Sequence, residues 1–83
     1  MQNKILYKKS VAKDFKNIDY SKRIIILNHI ENDLAKDLTC GKQLTGNFAG
    51  LFSLRVGDYR VVYKPLHNTV LILRITHRKE VYK

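Results

Sequence analysis

Apolar and polar residues alternate along residues 51–76 with the two-residue period of β-strands. The pattern predicts three strands, over residues 51–56, 59–64 and 69–76. Between the first two, Gly57-Asp58 has glycine first, as a type II′ turn prefers. Pro65 is expected to end the middle strand, because proline cannot donate to a β-ladder. Strict alternation places Leu71, Leu73 and Ile75 on one face of the last strand and Val70, Ile72 and Arg74 on the other.

The first half of the chain has the longer period of α-helices. Residues 10–18 carry apolar side chains at i, i+4 and i+7, and Ser10 is a suitable N-cap. A second helix is predicted to follow Asp19-Tyr20-Ser21, with apolar residues every three or four positions as far as Leu38. Gly41 is placed to end this helix, and residues 42–50 have the composition of a loop.

A short strand over residues 4–7 precedes both helices, so the predicted order of elements is β-α-α-β-β-β. This order indicates an α+β fold in which two helices pack on one face of an antiparallel sheet. A chain of 83 residues is expected to form one domain, residues 1–83.

The charge of the chain is strongly positive and unevenly distributed. Lys and Arg number 16 against 7 Asp and Glu, for a net charge of +9. Four of the five arginines lie in the second half, and such a field favours a polyanion or an acidic protein as partner. Neither a signal peptide nor an apolar run long enough to cross a bilayer is found, and Cys40 has no second cysteine to pair with. We therefore expect a cytoplasmic protein that does not contact the membrane.

Strand alternation predicts that basic residues gather on the sheet face that the helices leave open. In the middle strand Arg60 and Lys64 point away from Tyr59, Val61 and Tyr63. Arg55 likewise opposes the apolar residues of the preceding strand, so Arg55 and Arg60 would lie together near the hairpin turn. The guanidinium group matches the oxygens of phosphate, and tyrosine offers a flat face on which a base can stack.

The C-terminal part adds further candidates to this surface. Arg74 lies one strand on, and the segment with His77, Arg78 and Tyr82 can fold back over the same face. The arrangement would give a positive RNA-binding site without a carboxylate pair or a serine triad. No metal site is expected, because the histidines are scattered. In a purely structural alternative, Arg60 pairs with Asp58 or Glu80.

Two segments of the sequence resemble a known family. They are Gly57-Asp58-Tyr59-Arg60-Val61-Val62-Tyr63 and His77-Arg78-Lys79-Glu80-Val81-Tyr82, preceded by Leu44, Gly46 and Gly50 at matching distances. With the size and the order of elements, they resemble the RelE/ParE superfamily of toxins from type II toxin–antitoxin systems. The resemblance covers nearly the whole chain and is closer to the RelE branch than to the ParE branch.

The resemblance implies an endoribonuclease that cleaves messenger RNA in the ribosomal A site, inhibits translation and is held inactive by a cognate antitoxin. Arg60 would stabilise the scissile phosphate, Arg78 would be the arginine of the tail motif, and Tyr82 would orient or stack the substrate base. In the strand before the Gly57-Asp58 turn, RelE toxins carry lysines at two positions that Leu51 and Ser53 occupy in this chain.

Histidine titrates near neutral pH, which makes His77 the candidate for proton transfer in place of those lysines. Supporting contacts to RNA phosphates would come from Arg55, Arg74, Lys42 and Lys64. Attack by the ribose 2′-OH requires neither a metal nor a cofactor. Two alternatives stay open: a ParE-type toxin that inhibits DNA gyrase without chemistry of its own, and a basic module without activity.

Overall fold

The computed structural model describes residues 3–37 and 39–77, which form a five-stranded sheet with helices on one face. The strands are β1 Lys4–Tyr7, β2 Lys42–Gln43, β3 Phe52–Val56, β4 Tyr59–Leu66 and β5 Thr69–His77. Their spatial order is β1-β5-β4-β3-β2, and β1 pairs with β5 in parallel whereas the other pairs are antiparallel. The predicted α+β class is confirmed. The short strand β2 lies in a segment that the sequence predicted to be a loop.

Two α-helices, α1 (Lys9–Lys16) and α2 (Tyr20–His29), connect β1 to the rest of the sheet, and α2 continues into a π-helical turn, Ile30–Leu34. The predicted extension of this helix beyond Leu34 was wrong for residues 35–37, and its last predicted residue, Leu38, lies outside the described residues. Asp37 accepts hydrogen bonds from the backbone N–H and the hydroxyl of Thr39, at 2.9 and 2.8 Å. Such a side-chain-to-backbone turn competes with the helical hydrogen-bond pattern, so the chain leaves the helix here.

Ser10 does not cap α1, contrary to the prediction. The N-cap position belongs to Lys8, and Ser10 lies inside the helix, where its hydroxyl donates to the carbonyl of Leu73 at 2.7 Å. This bond attaches the first turn of α1 to β5. Within the described part of the chain, no helix has the length and apolarity needed to span a membrane.

The hydrophobic core fills the space between the helices and one face of the sheet. Its fully buried members come from α1, from α2 with its π-helical turn, and from β4 and β5: Val11, Ile26, Ile30, Leu34, Val61, Tyr63, Val70 and Ile72. Tyr63 stacks on Phe52 of β3 with 5.6 Å between ring centroids. Neither α1 nor α2 covers the opposite face of the sheet, since both helices pack their apolar residues into this core.

The β3–β4 hairpin forms as predicted, because Gly57 adopts φ +60° and Val56 lies opposite Tyr59 across the turn. The prediction that Pro65 ends β4 was wrong. Leu66 closes the next turn opposite Thr69, so Pro65 occupies a non-hydrogen-bonded position opposite Val70. An N–H at this position would point toward β3, but the pairing of β3 with β4 has already ended at Tyr63. The proline therefore removes no hydrogen bond from the ladder.

A β-bulge in β5 changes which residues face the core. Val62 lies opposite Arg74 but Tyr63 lies opposite Ile72, so Leu73 is an extra residue. The bulge resets the alternation, and Ile75 is buried on the same side as Val70 and Ile72. The predicted grouping of Ile75 with Leu71 and Leu73 was therefore wrong beyond this point. Strict alternation would have placed Arg74 on the core side with Val70 and Ile72. Because of the bulge, Arg74 lies opposite Val62 and does not face the core.

Candidate functional site

Strands β2, β3 and β4 together place four basic side chains on the open face of the sheet. Residues that are opposite each other in a β-ladder share a face, which places Arg55 beside Arg60 and Lys42 beside Ser53. Lys64 follows Arg60 by four positions in β4 and faces the same way. All four basic residues are exposed. We call Lys42, Arg55, Arg60 and Lys64 the basic face.

The centre of the basic face is the pair of Arg55 and Arg60. Val56 and Tyr59 close the two-residue turn as a hydrogen-bonded pair, so the next pair is non-hydrogen-bonded, with about 4.5 Å between its Cα atoms. Arg55 is oriented by its Nε, which donates to the carbonyl of Gly57 at 3.3 Å. Like charges directly opposite each other destabilise a sheet. Asp14 binds Arg74 and Asp33 binds His29, and within residues 3–37 and 39–77 no ion pair joins Arg55 or Arg60 to a carboxylate. A pair of this kind has the charge and geometry to bind an anion.

A cleft of about 350 Å³ opens beside this pair, between Arg55 and Arg60 on one side and residues 40–42 on the other. Gly41 makes the approach of the two walls possible. A Cβ atom at this position would lie 2.7 Å from both the Ser53 carbonyl oxygen and the Tyr63 hydroxyl. The N–H of Gly41 donates to that hydroxyl at 3.0 Å, and burial raises the pKa of Tyr63 to about 12. The predicted role of Gly41 as a helix end was wrong, since its role is this close approach.

Arg74 has a partner that the sequence did not indicate. Its Nε and Nη2 donate to the two carboxylate oxygens of Asp14 on α1, each at 3.0 Å, and the N–H of Ile75 donates to the same carboxylate at 2.9 Å. The Asp14 side chain is only 12% exposed, whereas that of Arg74 is 54% exposed. Arg74 therefore fastens α1 to β5, and its predicted contact with RNA stays a prediction. The signal that could have revealed Asp14 is its place as the single acid among the lysines of α1.

His77 lies on the other side of the sheet from Arg60. Strand β5 continues to His77, one residue further than predicted, and fixes it opposite Tyr59. The two rings meet edge to face, with 5.0 Å between centroids and an interplanar angle of 89°. The prediction that His77 folds back over the open face was wrong, because the residue belongs to the strand and faces the helices. Arg78 and Tyr82, the other predicted catalytic residues, lie outside the described residues.

Comparison with known proteins identifies the family of this chain. A model of the family described as "ParE toxin of type II toxin-antitoxin system, parDE" matches residues 5–82. The chain belongs to the RelE/ParE superfamily of type II toxins. The predicted family membership is thereby confirmed.

Individual relatives of this toxin carry RelE-type names. Toxin RelE3 of Methanocaldococcus jannaschii is 31% identical in an alignment of 87 positions, and the alignment covers 95% of this chain and 94% of RelE3. Toxin RelG of Mycobacterium tuberculosis is 44% identical over 54 residues, which span 61% of this chain and 62% of RelG. A chain of the toxin–antitoxin complex RelBE2 from Mycobacterium tuberculosis superimposes with a TM-score of 0.87 at 29% identity, covering 96% of this chain and 95% of that one.

Proposed function

We propose that this toxin is an endoribonuclease that cleaves messenger RNA on the translating ribosome and thereby inhibits translation. The observation that carries the proposal is the exposed pair of Arg55 and Arg60, two opposed like charges at the mouth of a cleft with Lys42 on its other wall. The RelE-type names of the relatives support a nuclease. Action on ribosomes also implies that the toxin works in the cytoplasm.

In the proposed reaction, the 2′-oxygen of a ribose attacks the adjacent phosphorus while the bond to the 5′-oxygen of the next nucleotide breaks. The products are a 2′,3′-cyclic phosphate and a free 5′-hydroxyl. Arg60 would bind the non-bridging oxygens of the pentacoordinate phosphorus, and Arg55 would bind the same or the neighbouring phosphate. Donors positioned for developing charge contribute on the order of 10²–10³ in rate each.

Proton transfer needs a different group. Arginine stays protonated in proteins and cannot be the base. His77 faces the helices, on the opposite side of the sheet from Arg60. Among the residues of β3, β4 and β5 that share a face with Arg55 and Arg60 there is neither a histidine nor a carboxylate. We therefore favour Tyr82 as the proton-transfer group, together with groups that the ribosome supplies.

We further propose that an antitoxin with an acidic segment neutralises the toxin. The similar RelBE2 protein is described as a toxin–antitoxin complex, and a surface with a net charge of +9 favours an acidic partner. Co-expression of the neighbouring open reading frame should then abolish growth arrest. The antitoxin proposal would be contradicted if no protein binds the toxin in pull-downs and cells that produce the toxin alone grow normally.

The experiment that tests the nuclease proposal is brief induction of the toxin in cells, followed by mapping of message ends. Wild-type toxin should produce new 5′ ends inside translated codons, and Arg60→Ala, produced at the same level, should not. The description of the matching family as ParE favours a second candidate, inhibition of DNA gyrase without cleavage. Intact messages together with loss of plasmid supercoiling would support this second candidate and refute the first.

A further inference from the structure

The cleft beside Arg55 and Arg60 has a lysine on its other wall. Lys42 lies on the short strand β2, directly opposite Ser53, and both residues line the cleft together with the two arginines. Because opposed residues share a face, Lys42 and Arg55 are diagonal neighbours, with about 7–8 Å between their Cα atoms. Strand β3 itself has no lysine, so β2 supplies the ammonium group at this place. A phosphate bound by the arginine pair would have that ammonium group within reach.

The backbone fixes the position of Lys42 from both sides. Before it, the N–H of Gly41 donates to the hydroxyl of Tyr63 at 3.0 Å, and the Tyr63 ring is buried in the core. After it, the N–H of Leu44 donates to the carbonyl of Leu51 at 2.9 Å and continues the pairing of β2 with β3. The Cα atom of Lys42 is therefore held relative to the arginines, while its exposed side chain can turn toward a substrate.

A lysine can do chemistry in this cleft that an arginine cannot. Both side chains are cations at neutral pH, but an ammonium group can release a proton whereas a guanidinium group stays protonated. The cleft also contains the thiol of Cys40, which interacts with the Tyr63 hydroxyl, and burial raises the pKa of this thiol. A neutral thiol lacks the charge that draws a side chain to a phosphate. Among the described residues that line the cleft, Lys42 is therefore the cation that can act as an acid.

We propose that Lys42 protonates the leaving 5′-oxygen in the cleavage reaction. This inference rests on the proposed function and adds the acid that the leaving group needs. As the 2′-oxygen bonds to phosphorus, the bond from phosphorus to the 5′-oxygen breaks, and a proton passes from Nζ of Lys42 to that oxygen. The proton of the 2′-hydroxyl goes to a base on the other side of the phosphorus, either Tyr82 as its phenolate or a ribosomal group. The neutral amine of Lys42 then regains a proton from water.

The charge state of the lysine decides which of the two oxygens it serves. An ammonium group can donate a proton but cannot accept one, so at neutral pH its partner is the oxygen that gains a proton, which is the leaving one. Arg55 and Arg60 would meanwhile bind the non-bridging oxygens from their own wall of the cleft. The two walls thus divide the work, with charge stabilisation on β3 and β4 and proton donation on β2.

The test compares two ribosome-bound messages in single-turnover cleavage with saturating toxin. One message is natural. In the other, sulfur replaces the 5′-oxygen at the cleavage site, which the wild type first identifies on the natural message. A thiolate leaves without being protonated, because a thiol is a far stronger acid than an alcohol. Lys42→Gln and Lys42→Arg are compared with Lys64→Gln, which removes a lysine of the same sheet face that does not line the cleft. Circular dichroism checks that each variant folds.

On the natural message, Lys42→Gln and Lys42→Arg should cleave about 10²-fold or more slowly than the wild type, because a general acid contributes on the order of 10²–10⁴ in rate. On the sulfur message, both variants should cleave at the wild-type rate. Lys64→Gln removes a phosphate contact without touching the acid, so it should slow both messages by the same factor and leave the ratio of the two rates at the wild-type value.

Three results would overturn the inference. Lys42→Gln could cleave the natural message at the wild-type rate, or it could lose the same factor on both messages, as loss of a phosphate contact would cause. Full activity of Lys42→Arg on the natural message would show that only the charge matters. In each of these cases the wild type still cleaves, and the nuclease proposal stands. If the wild type cleaves neither message, the nuclease proposal is refuted, and the inference with it.

Discussion

Replacement of Arg60 by Gln should make the protein more stable and nearly inactive. Arg60 lies directly opposite Arg55, and no described carboxylate forms an ion pair with either. For two unit charges about 6 Å apart in water, Coulomb repulsion amounts to about 0.7 kcal/mol. This lies within the roughly 0.2–1 kcal/mol typical of cross-strand pairs. Arg60→Gln should therefore raise the free energy of unfolding by up to that amount, and added salt should diminish the gain.

The same substitution should lower the cleavage rate about 10²- to 10³-fold, as loss of one charge-stabilising donor does. Arg60→Lys keeps the charge but loses the two-pronged geometry of the guanidinium group, so it should retain wild-type stability and lose most activity. Urea denaturation at low and high salt measures stability, and single-turnover cleavage of ribosome-bound message measures activity.

Arg74→Gln is the matched control on the next strand. This change breaks the ion pair with Asp14. The Asp14 side chain is largely buried, but the Arg74 side chain is half exposed, so the free energy of unfolding should fall by roughly 1 kcal/mol or less. A stability loss in Arg60→Gln equal to that in Arg74→Gln would show that Arg60 has a structural partner. Wild-type cleavage by Arg60→Lys would remove Arg60 from the site.

Three further predictions concern Gly41 beside the cleft, Tyr63 in the core and Asp14 of α1. Gly41→Ala should destabilise the fold and push residues 40–42 away from β3, because the new Cβ would lie 2.7 Å from the Ser53 carbonyl oxygen and the Tyr63 hydroxyl; thermal unfolding and a structure of the variant check this. Burial raises the pKa of Tyr63 from 10.0 to about 12, so the folded state holds the proton more tightly than the unfolded state. The contribution of Tyr63 to stability should be constant below about pH 10 and fall as the pH rises toward 12, and Tyr63→Phe should reduce the fall over that range in urea titrations. Asp14→Asn should speed hydrogen exchange at the N–H of Ile75, which its carboxylate binds at 2.9 Å, and unchanged exchange would contradict the contact.

The faces of β3 and β4 could be predicted from the sequence because both strands alternate regularly. Arg55 and Arg60 occupy the predicted open face, and Tyr63 and Val61 the predicted core. Strand β5 could not be predicted in this way beyond Leu73, since a bulge inserts one residue without any glycine or proline to mark it. The bulge places Ile75 in the core and Arg74 within reach of Asp14.

Other features depend on contacts between distant parts of the chain. The alternation of β1 does not reveal that it pairs with β5 in parallel, because the α1–α2 connection decides which edge it reaches. Gly41 is a typical helix-ending residue by sequence, and only the approach of Ser53 and Tyr63 shows why glycine is required. His77 could be assigned to a strand or to the tail with equal justification, and its pairing with Tyr59 decides for the strand.

The measurement that tests the central claim most directly uses purified toxin and ribosomes carrying a defined message, with a gyrase supercoiling assay run in parallel. The nuclease proposal predicts cuts within the codon at the ribosomal A site, with a 2′,3′-cyclic phosphate on one fragment and a 5′-hydroxyl on the other, and unaffected gyrase. Free message should stay intact. Uncut message on the ribosome together with arrested supercoiling would contradict the proposal and identify gyrase as the target.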